Sequence, residues 1–158
     1  MDQPINIKIA VDFDGTIVEH SYPEIGKEKL FAFRTLKELQ KKGAQLILWT
    51  FRTGKELEEA IEFCKKNGVE FYAVNSNYPG EIFDANETSR KIDADIYIDD
   101  KNIGGLPGWG EIWQMIFPYE QREMELRKKI NSPRNLLKRV FGGKKYSNKG
   151  TGALPDSR

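Results

Sequence analysis

An apolar run that ends on carboxylates limits what this chain can become more than any other stretch. In IKIAVDFDGT, residues 7–16, Ile7, Ile9 and Val11 alternate with Lys8 and Ala10, which predicts a strand entering a core. Asp12 and Asp14 follow, two places apart, and then Gly15 and Thr16. Two like charges at close range resist joint ionisation, so such a pair calls for a cation, a proton or a reaction. The fold must bury the strand and bring its carboxyl end to a polar edge.

The later segments supply that edge. EKLFAFRTLKELQKKG, residues 28–43, predicts a helix with Leu30, Phe33, Leu36 and Leu39 (plus Phe31) on its apolar side and Gly43 as its stop. AQLILWT, 44–50, is a short apolar run suited to a buried parallel strand. TGKELEEAIEFCKKNG, 53–68, predicts a second helix with Leu57, Ala60, Ile61 and Cys64 on one face, a capping box of Thr53 and Glu56 at its start, and Gly68 as its stop. VEFYAV and ADIYIDD predict two further strands, separated by a loop from Asn75 to about Ser89, and WGEIWQMIF another helix. Strands alternating with helices imply right-handed crossovers and a mainly parallel central sheet covered on both faces, a Rossmann-like three-layer α/β/α sandwich. Ligands in such sheets sit beyond the carboxyl ends of the strands. Asp12 and Asp14 end the first strand, Thr50 the second, Asp99 and Asp100 the fourth. Four carboxylates and a hydroxyl thus gather on one edge.

With these residues in this order, the sequence resembles the haloacid dehalogenase (HAD) superfamily of aspartate-nucleophile phosphohydrolases. Asp12-Phe-Asp14-Gly-Thr16 is similar to its first motif, Thr50 to its second, and KIDADIYIDDK, with Lys91 eight residues before Asp99, to the third and fourth together. The resemblance spans residues 5 to about 118. It implies a phosphatase in which Asp12 attacks phosphorus to form an aspartyl-phosphate and Asp14 serves as acid and then base. It further implies Mg²⁺ held by Asp12, the backbone carbonyl of Asp14 and Asp99, with Asp100 nearby or acting through water. Thr50 and Lys91 would hold phosphate oxygens. Backbone amides around Gly15 and Gly54 would add donors, Thr16 would join Gly15 in the substrate contacts, and Arg52 is either a phosphate contact or one half of a surface ion pair. A receiver domain uses similar parts, but there the adjacent acidic pair follows the first strand, whereas here it comes last. An inactive HAD fold that only binds is the other alternative.

Two gaps are where that superfamily inserts a cap domain. Residues 17–43 must already supply a helix, and Asn75–Arg90 are too few for a folded cap. The expectation is a capless member whose open site suits a phosphate on something large, or one lidded by a partner subunit in a homo-oligomer. His20, the single histidine, reads as a solvated loop residue or a substrate contact. Trp109 and Trp113 read as packing residues and Cys64 as a core filler.

Charge divides the chain. Residues 1–119 carry 14 Lys and Arg against 20 Asp and Glu, and residues 120–158 carry 11 against 4. The domain reading is a catalytic body over 1–118, a basic helical extension over 119–141 and a disordered tail over 142–158. Leu136, Leu137, Val140 and Phe141 interleave with Arg134, Lys138 and Arg139. A solvated extension is preferred for this segment over a nucleic-acid arm, a membrane surface or a partner protein. The sequence lacks an apolar run long enough to span a membrane and a recognisable secretion signal, and the expected location is the cytoplasm.

Overall fold

A computed structural model describes residues 4–130. Four short strands, β1 (Lys8–Val11), β2 (Gln45–Leu48), β3 (Ala73–Val74) and β4 (Ile96–Ile98), form one sheet in the order β3-β2-β1-β4. Every pairing is parallel: Ile9 lies opposite Leu46 and Ile96, and Ile47 opposite Ala73. The helices are α1 (Ala32–Lys41), α2 (Gly54–Lys66), α3 (Trp109–Ile116) and α4 (Pro118–Ile130). The fold is α/β. The chain divides into two compact units, one ending at Ile116 and the other starting at Phe117.

Strand alternation sorts the core. Ala10, Ile47 and Ala73 cluster with Ile92 on one face, where Trp49, Ala94 and Tyr97 pack against them, and no residue of that cluster is helical. Ile9, Val11, Leu46 and Leu48 are buried on the opposite side of their strands. α1 and α2 meet through Phe33 and Phe63, with ring centroids 5.7 Å apart, and Phe63 also meets Phe13 edge to face at 6.3 Å.

Several local expectations change. Gly43 and Gly68 do follow the first two helices with positive φ. α1, however, starts four residues later than its sequence pattern suggests, because the preceding chain is used otherwise. Residues 13–18 form a tight turn in which the amides of Thr16, Ile17 and Val18 all donate to Phe13 O. Residues 17–29 then fold back on themselves, with Glu19 N donating to Lys27 O and Lys29 N to Ile17 O. Leu30 and Phe31 are consequently exposed rather than on the apolar side of a helix, and Phe31 takes a left-handed φ of 67°. Thr53 does precede α2, but its side chain makes no capping hydrogen bond. The third strand shrinks to two residues.

In the second unit, α4 carries Arg127, Lys128 and Lys129 in its last turn, with Arg127 paired to Glu123 at 3.7 Å. No helix among the described residues is long and apolar enough to cross a membrane. The basic amphipathic segment at 134–141 and the expected disordered tail lie outside the described residues.

Candidate active site

The strand order fixes where a site forms. From β1 the chain runs outward through β2 to β3 and then returns to pair β4 against the other side of β1. The crevice at the carboxyl ends of β1 and β4 is therefore the switch point at which parallel sheets bind ligands. Asp12 follows β1, and Asp99 and Asp100 follow β4. The Asp12 amide donates to Ile98 O at 3.0 Å, continuing the pairing one residue past the strand. One carboxylate oxygen from each of Asp12, Asp99 and Asp100 lies within 4.8 Å of the others.

Three acids this close repel one another, and the surroundings hold them by different means. Burial pushes the Asp12 carboxyl up to about 6. The neighbouring Asp99 and Asp100 charges add to that rise, and hydrogen bonds from the Phe13 backbone and the Thr16 hydroxyl oppose it. Burial also pushes Asp100 up, but hydrogen bonds from His20 and Lys101 outweigh it, and the net shift is downward. His20 Nε2 lies 2.8 Å and Lys101 Nζ 3.2 Å from Asp100 Oδ2. Asp100 Oδ1 is buried with no hydrogen-bond partner. A buried, partnerless oxygen on a residue clustered with two other carboxylates is a cost that a divalent cation would remove. The donor set, all oxygen and all acidic, could hold a hard divalent cation.

Thr16 braces this cluster from within. Its hydroxyl donates to Asp12 Oδ2 and accepts the Asp100 amide, both at 3.1 Å, and its carbonyl accepts the Trp109 indole N–H at 3.0 Å. Fully buried, Thr16 is not the substrate contact expected of it. The Gly15 amide is likewise spent, donating to Val18 O at 2.7 Å, so it supplies no donor to a phosphate. Gly15 matters for what it lacks: a Cβ there would sit 2.3 Å from His20 Nε2 and 2.6 Å from Asp100 Oδ2, at a φ of +84°. His20 is thus an Asp100 partner, which neither reading of it as a solvated residue nor as a substrate contact foresaw.

Arg52 departs furthest from expectation. Its side chain is 1% exposed. Nε and Nη2 each donate to one Asp14 oxygen at 2.7 Å, Nη1 donates to Pro23 O at 2.9 Å, and Nη2 also donates to Glu24 O at 2.8 Å. The guanidinium lies over the rings of Phe13 at 4.9 Å and Tyr22 at 5.3 Å. It is a buried fork joining Asp14 to the 22–24 turn, not a surface ion pair, and the hydrogen bond to Asp14 raises its own pKa further.

Thr50 is positioned by Asn75, a residue with no part in the sequence reading. The Asn75 amide accepts the Thr50 N–H at 2.8 Å and donates to Thr50 O at 3.0 Å, while its backbone sits at a φ of 48°. An Asn just past an apolar strand was the available signal, since Asn tolerates that conformation and bonds to backbone. Thr50 and Asn75 both border a cavity of about 570 Å³ that opens from Asp12 and Asp99. Lys91 does not border it: Lys91 Nζ lies 5.6 Å from the Tyr97 ring centroid. Arg90 does border it, 4.8 Å over the ring of Phe83. The cation at the cavity is thus Arg90, one residue before the Lys91 named from the sequence.

No protein-family model matches the chain, and no curated protein matches it. Among solved structures it is similar to the conserved protein coded by a locus of Bacteroides thetaiotaomicron, with 55% identity and a TM-score of 0.67. That likeness covers 71% of this chain and 90% of the other.

Proposed function

We propose, from the premise that this chain belongs to the family of that conserved Bacteroides thetaiotaomicron protein, that it is a Mg²⁺-dependent phosphomonoesterase working through Asp12. The observation that carries the reading is the convergence of Asp12, Asp99 and Asp100 at the switch point, with a buried Asp100 oxygen left without a partner. The resemblance of the four sequence motifs to the HAD superfamily supports it.

Asp12, Asp99 and Asp100 would hold the metal, which when bound neutralises the carboxylates and the phosphate oxygens they face. An Asp12 oxygen attacks phosphorus, the bond from phosphorus to the alcohol oxygen breaks, and that oxygen takes a proton from Asp14. Water, giving a proton back to Asp14, then attacks the phosphorus of the aspartyl-phosphate and releases inorganic phosphate with Asp12 restored. Arg52 bears directly on this cycle. Both Asp14 oxygens accept from its guanidinium, each with a lone pair to spare, so Arg52 fixes the orientation of Asp14 while a proton moves on and off it. Thr50 and Arg90, on the cavity wall, would orient the phosphate oxygens.

The test is acid quenching during turnover of an aryl phosphate, followed by borohydride reduction and peptide mapping. Homoserine is expected at position 12 of the mapped peptide, the reduction having displaced phosphate from an aspartyl-phosphate there, and Asp12→Asn should lose both that product and turnover. Turnover retained by Asp12→Asn would overturn the proposal.

A further inference from the structure

The cavity has a second half that the phosphate chemistry does not use. Besides the residues assigned to the phosphate, the cavity is lined by Trp49 and Phe51 after β2 and by Glu81 and Phe83 on the loop that follows β3. That loop is braced from inside. Asn77 donates to both Glu81 oxygens, from its amide at 2.5 Å and its side chain at 2.8 Å, and accepts the Asp93 N–H at 2.7 Å. Thr88 N donates to Asp84 O at 2.7 Å.

Aromatic residues exposed singly need no explanation, but two that border one cavity, Phe51 and Phe83, do. The Phe51 side chain is 103% exposed and Phe83 48%. Each offers a flat apolar surface beside the site. Charge narrows the choice of ligand further. Among the described residues around the cavity Arg90 is the one cation, set against Asp12, Asp99 and Glu81. Arg52 is committed to Asp14, and Lys91 does not border the cavity. One cation can meet one phosphate. A second anionic group would face Glu81, whose carboxylate is held in place and offers acceptors to hydroxyl or amino donors.

We propose that the cavity takes a nucleoside monophosphate: one phosphate at Asp12, an uncharged heteroaromatic ring against Phe51 and Phe83, and sugar or ring donors on Glu81. This inference rests on the phosphomonoesterase reading of the same site. A cavity of about 570 Å³ is within the size range of small-ligand sites.

The experiment measures binding to full-length Asp12→Asn in Mg²⁺ by calorimetry, alongside wild-type turnover. The ligands are a nucleoside 5′-monophosphate, ribose 5-phosphate and a nucleoside 3′,5′-bisphosphate. The monophosphate should bind about tenfold or more tightly than ribose 5-phosphate, the range of a stacked base. The bisphosphate should bind more weakly than the monophosphate, and Glu81→Gln should narrow that gap. Phe51→Ser with Phe83→Ser, two exposed positions, should erase most of the advantage of the ring. Equal affinity for the monophosphate and ribose 5-phosphate, or tightest binding of the bisphosphate, would overturn the inference while an active aryl phosphatase kept the catalytic reading. Selective nucleotide binding without turnover of any phosphomonoester would overturn the catalytic reading and keep the cavity as a nucleotide site. Binding of none of the three would overturn the inference outright.

Discussion

Replacing Arg52 by Met removes the fork that holds Asp14 while keeping much of the side-chain volume. Four charge-assisted hydrogen bonds disappear, two of them to the Asp14 carboxylate at 2.7 Å, and the carbonyls of Pro23 and Glu24 lose their donor. Breaking a buried pair by removing one partner costs about 3–5 kcal/mol, because the other charge stays behind unpaired. The Asp14 side chain is 16% exposed, so water relieves part of that penalty and the loss belongs near the lower end, ~3 kcal/mol. Against a total stability of about 5–15 kcal/mol that is a large share. Urea unfolding at neutral pH should show it as a lower midpoint at unchanged slope. Asp14→Asn in the same chain should recover much of the loss, because the amide carries no charge to strand; the double-mutant cycle should give a coupling of about 2 kcal/mol or more. A loss below about 1 kcal/mol, the scale of an exposed pair, or strict additivity, would refute the claim that a buried fork ties Asp14 to the 22–24 turn.

The Asp12 carboxyl, raised to about 6 against 3.8 unfolded, binds its proton more tightly in the folded protein. Its contribution is therefore fully present below about 4 and lost as pH rises through about 6, so metal-free protein should lose stability over that window and Asp12→Asn should flatten the loss in a pH series of thermal melts. Mg²⁺ should raise the melting temperature more at pH 7.5 than at pH 5, where protons compete for Asp12; Asp99→Asn should abolish most of that rise, and an unchanged rise would take Asp99 out of the metal site. Gly15→Ala should lower stability by about 1–3 kcal/mol and break the His20–Asp100 contact, read as a change in the His20 ring resonances in NMR. Cys64 is fully buried and burial pushes its thiol up to about 12, so a thiol reagent should label it only on unfolding.

What the sequence made readable is tied to strands. Asp12, Thr50, Asp99 and Asp100 each end an apolar run, and the rule that parallel strands deliver their carboxyl ends to one edge brings them together without further information. Burial of Ala60 and Cys64 on one face of α2 follows from helical spacing in the same way. What was not readable joins residues far apart in the chain. Arg52 and Asp14 are 38 residues apart, His20 and Asp100 80, Thr16 and Asp100 84, and none of these pairs belongs to a periodic pattern. The exposed Leu30 and Phe31 show the converse, a good local helical pattern losing to the fold-back of residues 17–29 that Val18 anchors in the core.

The same distinction explains why carboxylates could be placed and their partners could not. A buried acid announces itself, since an apolar strand has no other reason to end on one. The residues that make the acid tolerable carry no such mark: a Thr beneath, an Arg beside, an Asn across the sheet are common everywhere, and only the folded chain gives them their roles. Arg52 is the sharpest instance. Two residues after Thr50, it looked free to meet a phosphate, but its guanidinium points into the protein, with Phe13 and Tyr22 on its flanks and Asp14 at its end. With Arg52 committed there, Arg90 becomes the cation left at the cavity. That single cation beside Asp12, Asp99 and Glu81 is the ground on which one phosphate, and not two, is proposed for the cavity.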